Sequence, residues 1–147
     1  MRLTDFTDFT LRTLIYLALQ PDRLSTIADI ADAYDISANH LMKVVHQLAA
    51  SGDVATTRGR RGGLRLARPP ADINIGAVVR RTEPDMALVA CFVDPQRCVI
   101  QDGCVLQHVL ADALGAFLAV LDRYTLADLA APQRPLAELL GLSPPPA

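Results

Sequence analysis

The chain has 147 residues, 51% of them hydrophobic and 20% charged, which suits one folded domain with a small additional arm and excludes a disordered chain. No apolar run approaches the roughly 18 residues that cross a bilayer, and the opening MRLTDFTDF carries acids in place of the apolar core of a signal peptide. We therefore expect a cytoplasmic protein without a membrane partner, in which thiols stay reduced.

The net charge of −2 conceals an asymmetry along the chain. Residues 1–81 hold eleven basic and eight acidic side chains, whereas residues 82–147 hold three basic and eight acidic ones. Five arginines lie within residues 54–70, where no acid occurs. Such a local basic excess indicates an anionic partner more directly than the total charge does.

The apolar periodicity of the N-terminal part predicts helices over residues 4–19, 27–34 and 38–51, with Gly52 as the stop of the third. Two short helices joined by a tight turn, the second with a polar outer face, are typical of a DNA-binding helix-turn-helix. The alternative for that face is ordinary solvation. The outward residues of the third helix, predicted to contact bases or phosphates, are Asn39, His40, Lys43 and Gln47.

A wing is predicted directly after these helices, because residues 54–57 and 64–67 alternate as strands around RGRRGG. The three glycines of this stretch, Gly59, Gly62 and Gly63, are expected to supply the positive φ angles of a tight hairpin. Its tip carries arginines that suit a narrow minor groove and the flanking phosphates. They are Arg58, Arg60 and Arg61.

The C-terminal half predicts short helices over residues 75–81 and 86–92, followed by a long amphipathic helix within residues 103–124. The apolar stripe of that helix is wider than one small winged domain covers, which favours packing on its twin in a homodimer over folding back on its own chain.

The predicted fold class is therefore mainly α with a small β-hairpin. We expect a winged helix-turn-helix DNA-binding domain at 1–82, a cluster-binding segment at 83–104, a dimerisation helix at 105–130 and a proline-rich flexible tail at 131–147.

All three cysteines lie in one stretch, CFVDPQRCVIQDGC, with the spacing C-x6-C-x5-C. Cys91, Cys98 and Cys104 offer thiolates on a polar, turn-rich loop, and thiolates are good ligands for soft metals. A fourth ligand could be His108, one helical turn after Cys104, or Asp8 from the other chain of a dimer. Spacing alone leaves open an iron–sulfur cluster, a Cys3His zinc site and a metal-free thiol sensor.

The order of these motifs resembles a known family. The opening MRLTDFTDFTLRTLIYLAL, the segment ISANHLMKVVHQLAASGDV, the wing TRGRRGGLRLARPP and the cysteine loop before a long helix are similar to the NsrR and IscR group. The resemblance covers roughly residues 1–130. It implies a small dimeric winged-helix transcription regulator that carries an iron–sulfur cluster.

Within this group the chain looks closer to the NsrR-like members, which sense nitric oxide and repress transcription. In IscR-like members a histidine three residues after the last cysteine serves a 2Fe-2S centre, whereas that position here is Gln107 and the histidine comes one later. The resemblance therefore favours a 4Fe-4S centre over a 2Fe-2S centre. It implies as ligands Cys91, Cys98, Cys104 and, from the partner subunit, Asp8.

These observations predict a transcriptional repressor that binds double-stranded promoter DNA as a homodimer and responds to nitric oxide through its cluster. The alternatives are an IscR-like regulator of iron–sulfur cluster assembly and a zinc-based or thiol-based redox regulator. An enzyme is not expected, because the sequence has no glycine-rich phosphate loop after a strand, no nucleophile elbow and no CxxC pair.

Overall fold

The structure is a computed structural model, and it describes residues 1–143 of the chain. Its first helix, α1 (Asp5–Ala18), begins after Thr4, whose hydroxyl accepts a hydrogen bond from the Thr7 backbone N–H at 3.3 Å. Two acidic residues, Asp5 and Asp8, lie in the first turn of this helix. Negative charge is favourable at that position because it faces the positive end of the helix dipole.

The predicted helix-turn-helix is confirmed and consists of α2 (Ile27–Tyr34) and α3 (Ala38–Ala50). A capping box starts α2, since the side chains of Thr26 and Asp29 each accept a hydrogen bond from the other residue's backbone N–H. The helix ends at Asp35, whose φ of 53° places it in the left-handed region. That single residue turns the chain sharply into α3.

The predicted wing is an antiparallel hairpin of β1 (Val54–Thr57) and β2 (Gly63–Leu66). The backbone of Ser25, just before α2, exchanges two hydrogen bonds with Leu64, at 3.0 and 2.7 Å. The hairpin is therefore held to the helices by backbone pairing as well as by its own ladder.

The wing glycines correct the prediction that all three supply positive φ angles. Of the three, Gly59 alone does so, at 106°. A β-carbon at Gly62 would lie 2.2 Å from the carbonyl oxygen of Thr57, and one at Gly63 would lie 2.8 Å from the carbonyl oxygen of Ser25. These two glycines permit close backbone approach instead.

One hydrophobic core joins α1, α2, α3 and the wing to a further helix, α4 (Ile75–Thr82). Because it also contains Leu126, the C-terminal part of the chain belongs to the same fold. The core side chains without exposed surface include Leu14, Ile30, Leu41, Val44, Ile73, Val78 and Leu126.

Between α4 and the next helix the chain forms single 3-10 turns at Ala90–Phe92, Pro95–Arg97 and Gln101–Gly103. The helix predicted over residues 86–92 is wrong, since only its last three residues form a turn. Val89 is extended, with φ −141° and ψ 154°. Met86, Ala87 and Leu88 are half buried and line a cavity together with Leu114 and Phe117 of the following helix. Periodicity cannot distinguish such an apolar stretch from a short buried helix.

The helix after the cysteines, α5 (Val105–Leu121), is the longest in the described part of the chain. Its end is tied to α4, because the guanidinium of Arg80 donates to both carboxylate oxygens of Asp122 at 2.5 and 2.7 Å. The two helices approach closely there, since a β-carbon at Gly76 would lie 1.9 Å from the Asp122 carboxylate. Within residues 1–143, no helix combines the length and apolar character needed to cross a membrane.

The C-terminal segment corrects the predicted flexible tail. After α6 (Leu126–Leu129), the chain forms α7 (Gln133–Leu139), in which Ala137 has no exposed surface. Pro135 lies in the first turn of α7, where a backbone N–H has no partner within the helix, so proline is tolerated. The rest of the predicted tail, residues 144–147, lies outside the described residues.

Candidate DNA-binding surface and cysteine loop

The outer face of α3 carries polar side chains. Asn39, His40 and Lys43 are exposed there, as predicted. The ring of His40 stacks on Phe9 of α1 with the ring centroids 5.9 Å apart, so the neighbouring helix fixes its orientation. An amide, an imidazole and a cation on one helix face are groups that can bind base edges and phosphates.

Gln47 does not face outward, and this part of the prediction is wrong. Its side-chain Nε2 donates to the backbone carbonyl oxygen of Arg81 at 3.1 Å, at the end of α4. Each step of four residues rotates a side chain by about 40° on a helix of 3.6 residues per turn. The two steps from Asn39 through Lys43 therefore bring Gln47 to the side of α3 that meets α4.

Met42 and His46 share the exposed face of α3 with Asn39 and Lys43, and the sequence analysis did not single them out. Met42 is 56% exposed. The available signal was the step of three residues from Asn39 to Met42 and from Lys43 to His46, which places all four side chains in one stripe. An exposed methionine in such a stripe offers an apolar surface for a thymine methyl group.

The tip of the wing presents three exposed arginines. Among the described residues, none of Arg58, Arg60 and Arg61 forms an ion pair with a carboxylate. The backbone N–H of Gly62 donates to the Gly59 carbonyl at 2.9 Å and closes the tip. The three guanidinium groups are therefore available to an external anion.

A buried carboxylate lies where the wing meets α3 and α4. Asp53 has no exposed surface, and its Oδ1 accepts from Nε and Nη2 of Arg68 at 3.0 and 2.6 Å. Its Oδ2 accepts from the Arg81 guanidinium and, at 3.0 Å, from the Ser51 hydroxyl. A buried charge is costly unless it is paired. Sequence reasoning missed this cluster because its partners are separated by 15 and 28 residues.

The three cysteines are free thiols of intermediate exposure. Cys91 lies within the first 3-10 turn, and Cys98 and Cys104 directly follow the other two. Within residues 1–143, no three histidine, cysteine, aspartate or glutamate side chains are arranged to hold a metal ion. The single chain therefore does not gather the three thiols into a ligand shell.

Neither candidate for a fourth ligand completes a site in this chain. Asp8 is half exposed and pairs with Arg12 of its own helix, with Oδ2 2.8 Å from Nη2 and Oδ1 3.1 Å from Nε. His108 is exposed in the first turn of α5.

The donor set of the loop nevertheless suits a soft metal. Three thiols occur in one short segment, all of them free of disulfides and reachable from solvent, which is the ligand chemistry of iron–sulfur proteins. A fourth donor would have to come from another part of the molecule or from a second chain.

The start of α1 is bonded to the start of the cysteine segment (residues 83–104). The carboxylate of Glu83 accepts from the backbone N–H of Thr4 at 2.8 Å and from its hydroxyl at 3.0 Å. One residue earlier, the Thr82 hydroxyl accepts from that of Thr7 at 2.9 Å. Burial favours the neutral form of Glu83, but hydrogen bonding of its carboxylate at the start of α1 outweighs this effect, so the pKa of Glu83 lies below its ordinary value.

Helix α5 leaves an apolar side exposed. None of its 17 residues is buried. Leu114 and Phe117, on another side of the helix, are half buried and line a cavity with residues 1–4 and 83–88. A contiguous apolar surface of this kind marks an interaction site. The exposed side chains, between 43% and 72% accessible, are Val105, Leu106, Val109 and Val120.

The sequence matches the Rrf2 family, described as an iron-dependent transcriptional regulator, over residues 3–132. The HTH-type transcriptional regulator NsrR of Bacillus subtilis strain 168 is 53% identical over 144 residues, which cover 97% of this chain and 99% of that protein. NsrR of Halalkalibacterium halodurans is 49% identical over 146 residues, covering 98% and 100%. The resemblance stated from the motifs is confirmed.

Two solved structures share the fold. CymR (YrzC), the global cysteine regulator of B. subtilis, superposes with a TM-score of 0.74 at 26% identity, covering 89% of this chain and 97% of its own. IscR of T. potens gives a TM-score of 0.74 at 23% identity, covering 92% and 90%. The predicted winged-helix fold class is confirmed.

Proposed function

Since the chain belongs to the Rrf2 family of transcriptional regulators, we propose that it represses transcription by binding promoter DNA as a homodimer, and that nitric oxide relieves this repression through an iron–sulfur cluster. The observation that carries the proposal is the 53% identity to an NsrR regulator over nearly the whole of both chains. A promoter-binding regulator acts on the chromosome, so the cytoplasmic location predicted from the sequence is part of the proposal.

In this proposal α3 enters the major groove of each half-site, as recognition helices do. Its exposed stripe of Asn39, Met42, Lys43 and His46 contacts bases and phosphates, and His40 lies at the edge beside α1. Gln47 is left out of the contact surface because its amide is bonded to α4.

The wing reaches an adjacent minor groove. Arg58, Arg60 and Arg61 are exposed at the tip of a thin hairpin, and no carboxylate within residues 1–143 forms an ion pair with them. Guanidinium groups are attracted to the enhanced negative potential of a minor groove narrowed by A·T-rich sequence. The operator is therefore expected to be A·T-rich beneath the wings and pseudo-palindromic across the dimer.

The homodimer forms along α5. The exposed side chains of Val105, Leu106 and Val109 lie at its amino end, directly after the cysteines. Pairing of two such helices would remove this apolar surface from water. It would also bring the cysteine segment of one chain near the partner subunit, from which a fourth ligand could come.

Cys91, Cys98 and Cys104 would hold a 4Fe-4S cluster, with Asp8 of the partner subunit as the fourth ligand. When bound, such a cluster supplies iron that reacts with nitric oxide. The carboxylate of Asp8 has two possible partners, a metal across the dimer and Arg12 one turn along its own helix, 2.8 Å away. A carboxylate is a weaker ligand for a soft metal than a thiolate, so Asp8 would be the most weakly held of the four ligands, and without the cluster its carboxylate is paired with Arg12.

The route from the loop to the DNA-binding elements starts at α1. Thr4 and Thr7 at its first turn are hydrogen-bonded to Glu83 and Thr82, and Phe9 packs on His40 of α3. A shift of the first turn would therefore move both the end of α4 and the recognition helix.

The switch can be tested with anaerobically purified protein and labelled DNA from upstream of its own gene. Nitric oxide is added in measured equivalents while fluorescence anisotropy and visible absorbance are followed together. We expect operator affinity to fall as the cluster absorbance disappears. Unchanged affinity would rule out the nitric oxide switch, and a colourless, zinc-containing preparation would favour the zinc alternative.

The fourth ligand is tested by Asp8→Ala, with Asp5→Ala as the matched control in the same helical turn. Asp5 is exposed and only loosely paired with Arg2, at 4.0 Å. We expect Asp8→Ala to alter the cluster spectrum and shorten its lifetime in air, while Asp5→Ala behaves as the wild type. Equal spectra and lifetimes for all three proteins would mean that Asp8 serves only the start of its helix.

A further inference from the structure

Asp53 and Arg81 lie outside the proposed DNA-contacting surface and connect its two parts, the wing and α3. Asp53 lies between α3 and β1, and Arg81 lies in the last turn of α4. Their side chains form an ion pair whose carboxylate has no exposed surface. We propose that Asp53 and Arg81 are positioning residues for DNA binding, which fix the wing and the recognition helix at one common point on α4.

The first half of the argument concerns the wing. Asp53 immediately precedes β1, and Arg68 follows the end of β2 by two residues. The Asp53 carboxylate binds the Arg68 guanidinium at 2.6 and 3.0 Å, and the Asp53 carbonyl accepts from the Ala67 N–H at 2.9 Å. Both strands of the hairpin are thus held at their base by one residue, so the direction of the wing depends on where Asp53 is held.

The second half concerns α3. The backbone carbonyl of Arg81 accepts from the amide of Gln47, at 3.1 Å. At the end of the same helix, the Ser51 hydroxyl donates to the Asp53 carboxylate at 3.0 Å. Arg81 therefore holds the wing with its side chain and α3 with its main chain. Its sequence neighbours Thr82 and Glu83 lead directly into the cysteine segment.

The adjacent residue in α4 provides a matched control. Arg80 also forms a two-pronged ion pair with an aspartate, Asp122, but it points toward the end of α5 and away from the wing. Both partners of that pair are about two-fifths exposed, at 44% and 41%. Removing either arginine deletes the same charge from the same helix, so a difference between the two variants reports on position.

The inference rests on the proposed function, because it takes α3 and the wing as the elements that contact DNA. The substitution Asp53→Asn tests the inference by the direction in which the affinity for DNA changes. Loss of a negative charge near DNA strengthens binding if only electrostatics matter. Loss of a positioning residue weakens binding to the operator, because correctly aligned base and phosphate contacts are lost.

The experiment measures the affinity of cluster-loaded full-length Asp53→Asn, Arg81→Gln and Arg80→Gln for the operator and for a scrambled duplex, by anisotropy well below each melting temperature. For Asp53→Asn and Arg81→Gln we expect operator binding to weaken by roughly tenfold or more, as when a base contact is misaligned. Non-specific binding should change by less than about threefold, since it depends on charge rather than register. Arg80→Gln should keep the operator-to-scrambled ratio of the wild type.

The proposal is overturned if folded Asp53→Asn binds the operator as tightly as the wild type or more tightly. Should Asp53→Asn not fold, the arginine pair decides, because Arg81 and Arg80 are both partly exposed. Equal ratios for Arg81→Gln and Arg80→Gln would then overturn it. Lys43→Ala and Arg60→Ala, measured alongside, separate a failure of this inference from a failure of the proposed function. If neither weakens binding, the DNA-contacting surface itself is misassigned.

Discussion

Residues 1–82, here called the winged domain, bury many of their apolar side chains. Residues 83–121, from the cysteine segment through α5, leave several of theirs exposed. Leu14 and Leu41 in the first have no exposed surface, whereas Val99 and Val105 in the second are 103% and 72% exposed. Since removing apolar surface from water is the main driving force of folding, the winged domain is complete within one chain. The second region is not, and a partner chain and a cofactor are what would complete it.

The two regions also differ in how completely their polar groups are bonded within one chain. The buried carboxylate of Asp53 is bonded by two arginines and a serine, while the three cysteine thiols have no disulfide partner. The two regions therefore differ in how completely their polar and apolar groups are satisfied within one chain. Substitutions should therefore separate them.

The largest difference should appear in stability. Leu41→Ala leaves a cavity in the core and should lower the free energy of unfolding by about 2–5 kcal/mol. Val99→Ala, at a fully exposed site, should change it by less than about 0.5 kcal/mol. Chemical denaturation of both variants followed by circular dichroism checks this. Similar losses for the two would mean that the cysteine segment is packed as tightly as the core.

The next effect concerns assembly. Val109→Asp places a carboxylate on the exposed apolar side of α5 and should raise the dimer dissociation constant on the order of a hundredfold, because an unpaired charge in an apolar interface is strongly unfavourable. Ala111→Asp is the control, since two residues rotate a side chain by about 200° to the opposite side of the helix. Sedimentation velocity distinguishes them, and an unchanged dimer in Val109→Asp would place the interface elsewhere.

A smaller effect is expected at the wing. Arg60→Ala should weaken operator binding several-fold and reduce the slope of log affinity against log salt by about one, as for the loss of one phosphate or groove contact. Arg123→Ala removes the same charge from an exposed position after α5 and should leave the slope unchanged. If both variants lower it equally, the wing makes no specific contact.

The elements that sequence predicted well are those whose partners lie nearby along the chain. Periodicity predicted α2 and the start of α3, and Gly52, with a φ of 78°, stops α3 as expected. Gln47 was assigned to the wrong face because a spacing of four residues does not record the drift of a helix with 3.6 residues per turn. Gly62 was interpreted as a turn former because composition does not show how closely Thr57 approaches.

The features that sequence could not predict depend on distant partners. Asp53 is joined to Arg81 across 28 residues, and nothing local marks either as buried. The proline-rich composition after residue 130 predicted a tail, yet Ala137 packs into the fold. The ligand shell of the cysteines stays a prediction, because it would need residues that residues 1–143 of a single chain do not bring together.

The smallest expected effect lies at the boundary between the two regions, at Glu83. Burial raises its pKa, but hydrogen bonding at the start of α1, where Thr4 donates to its carboxylate twice, outweighs this effect and holds the pKa below the ordinary 4.5. A carboxyl whose pKa is depressed in the folded state stabilises the protein above its unfolded-state pKa, and this contribution is lost as the pH falls through the folded-state value.

Glu83→Gln cannot ionise, so the stability advantage of the wild type over this variant should be constant from pH 7 to about pH 5 and shrink below about pH 4.5. Urea denaturation of both proteins across this range measures the difference, with Asp85→Asn as a control for an exposed neighbouring carboxylate. A constant difference down to pH 3 would show that Glu83 holds α1 as a hydrogen-bond acceptor regardless of its charge. The bond between the winged domain and the cysteine segment would then be independent of pH.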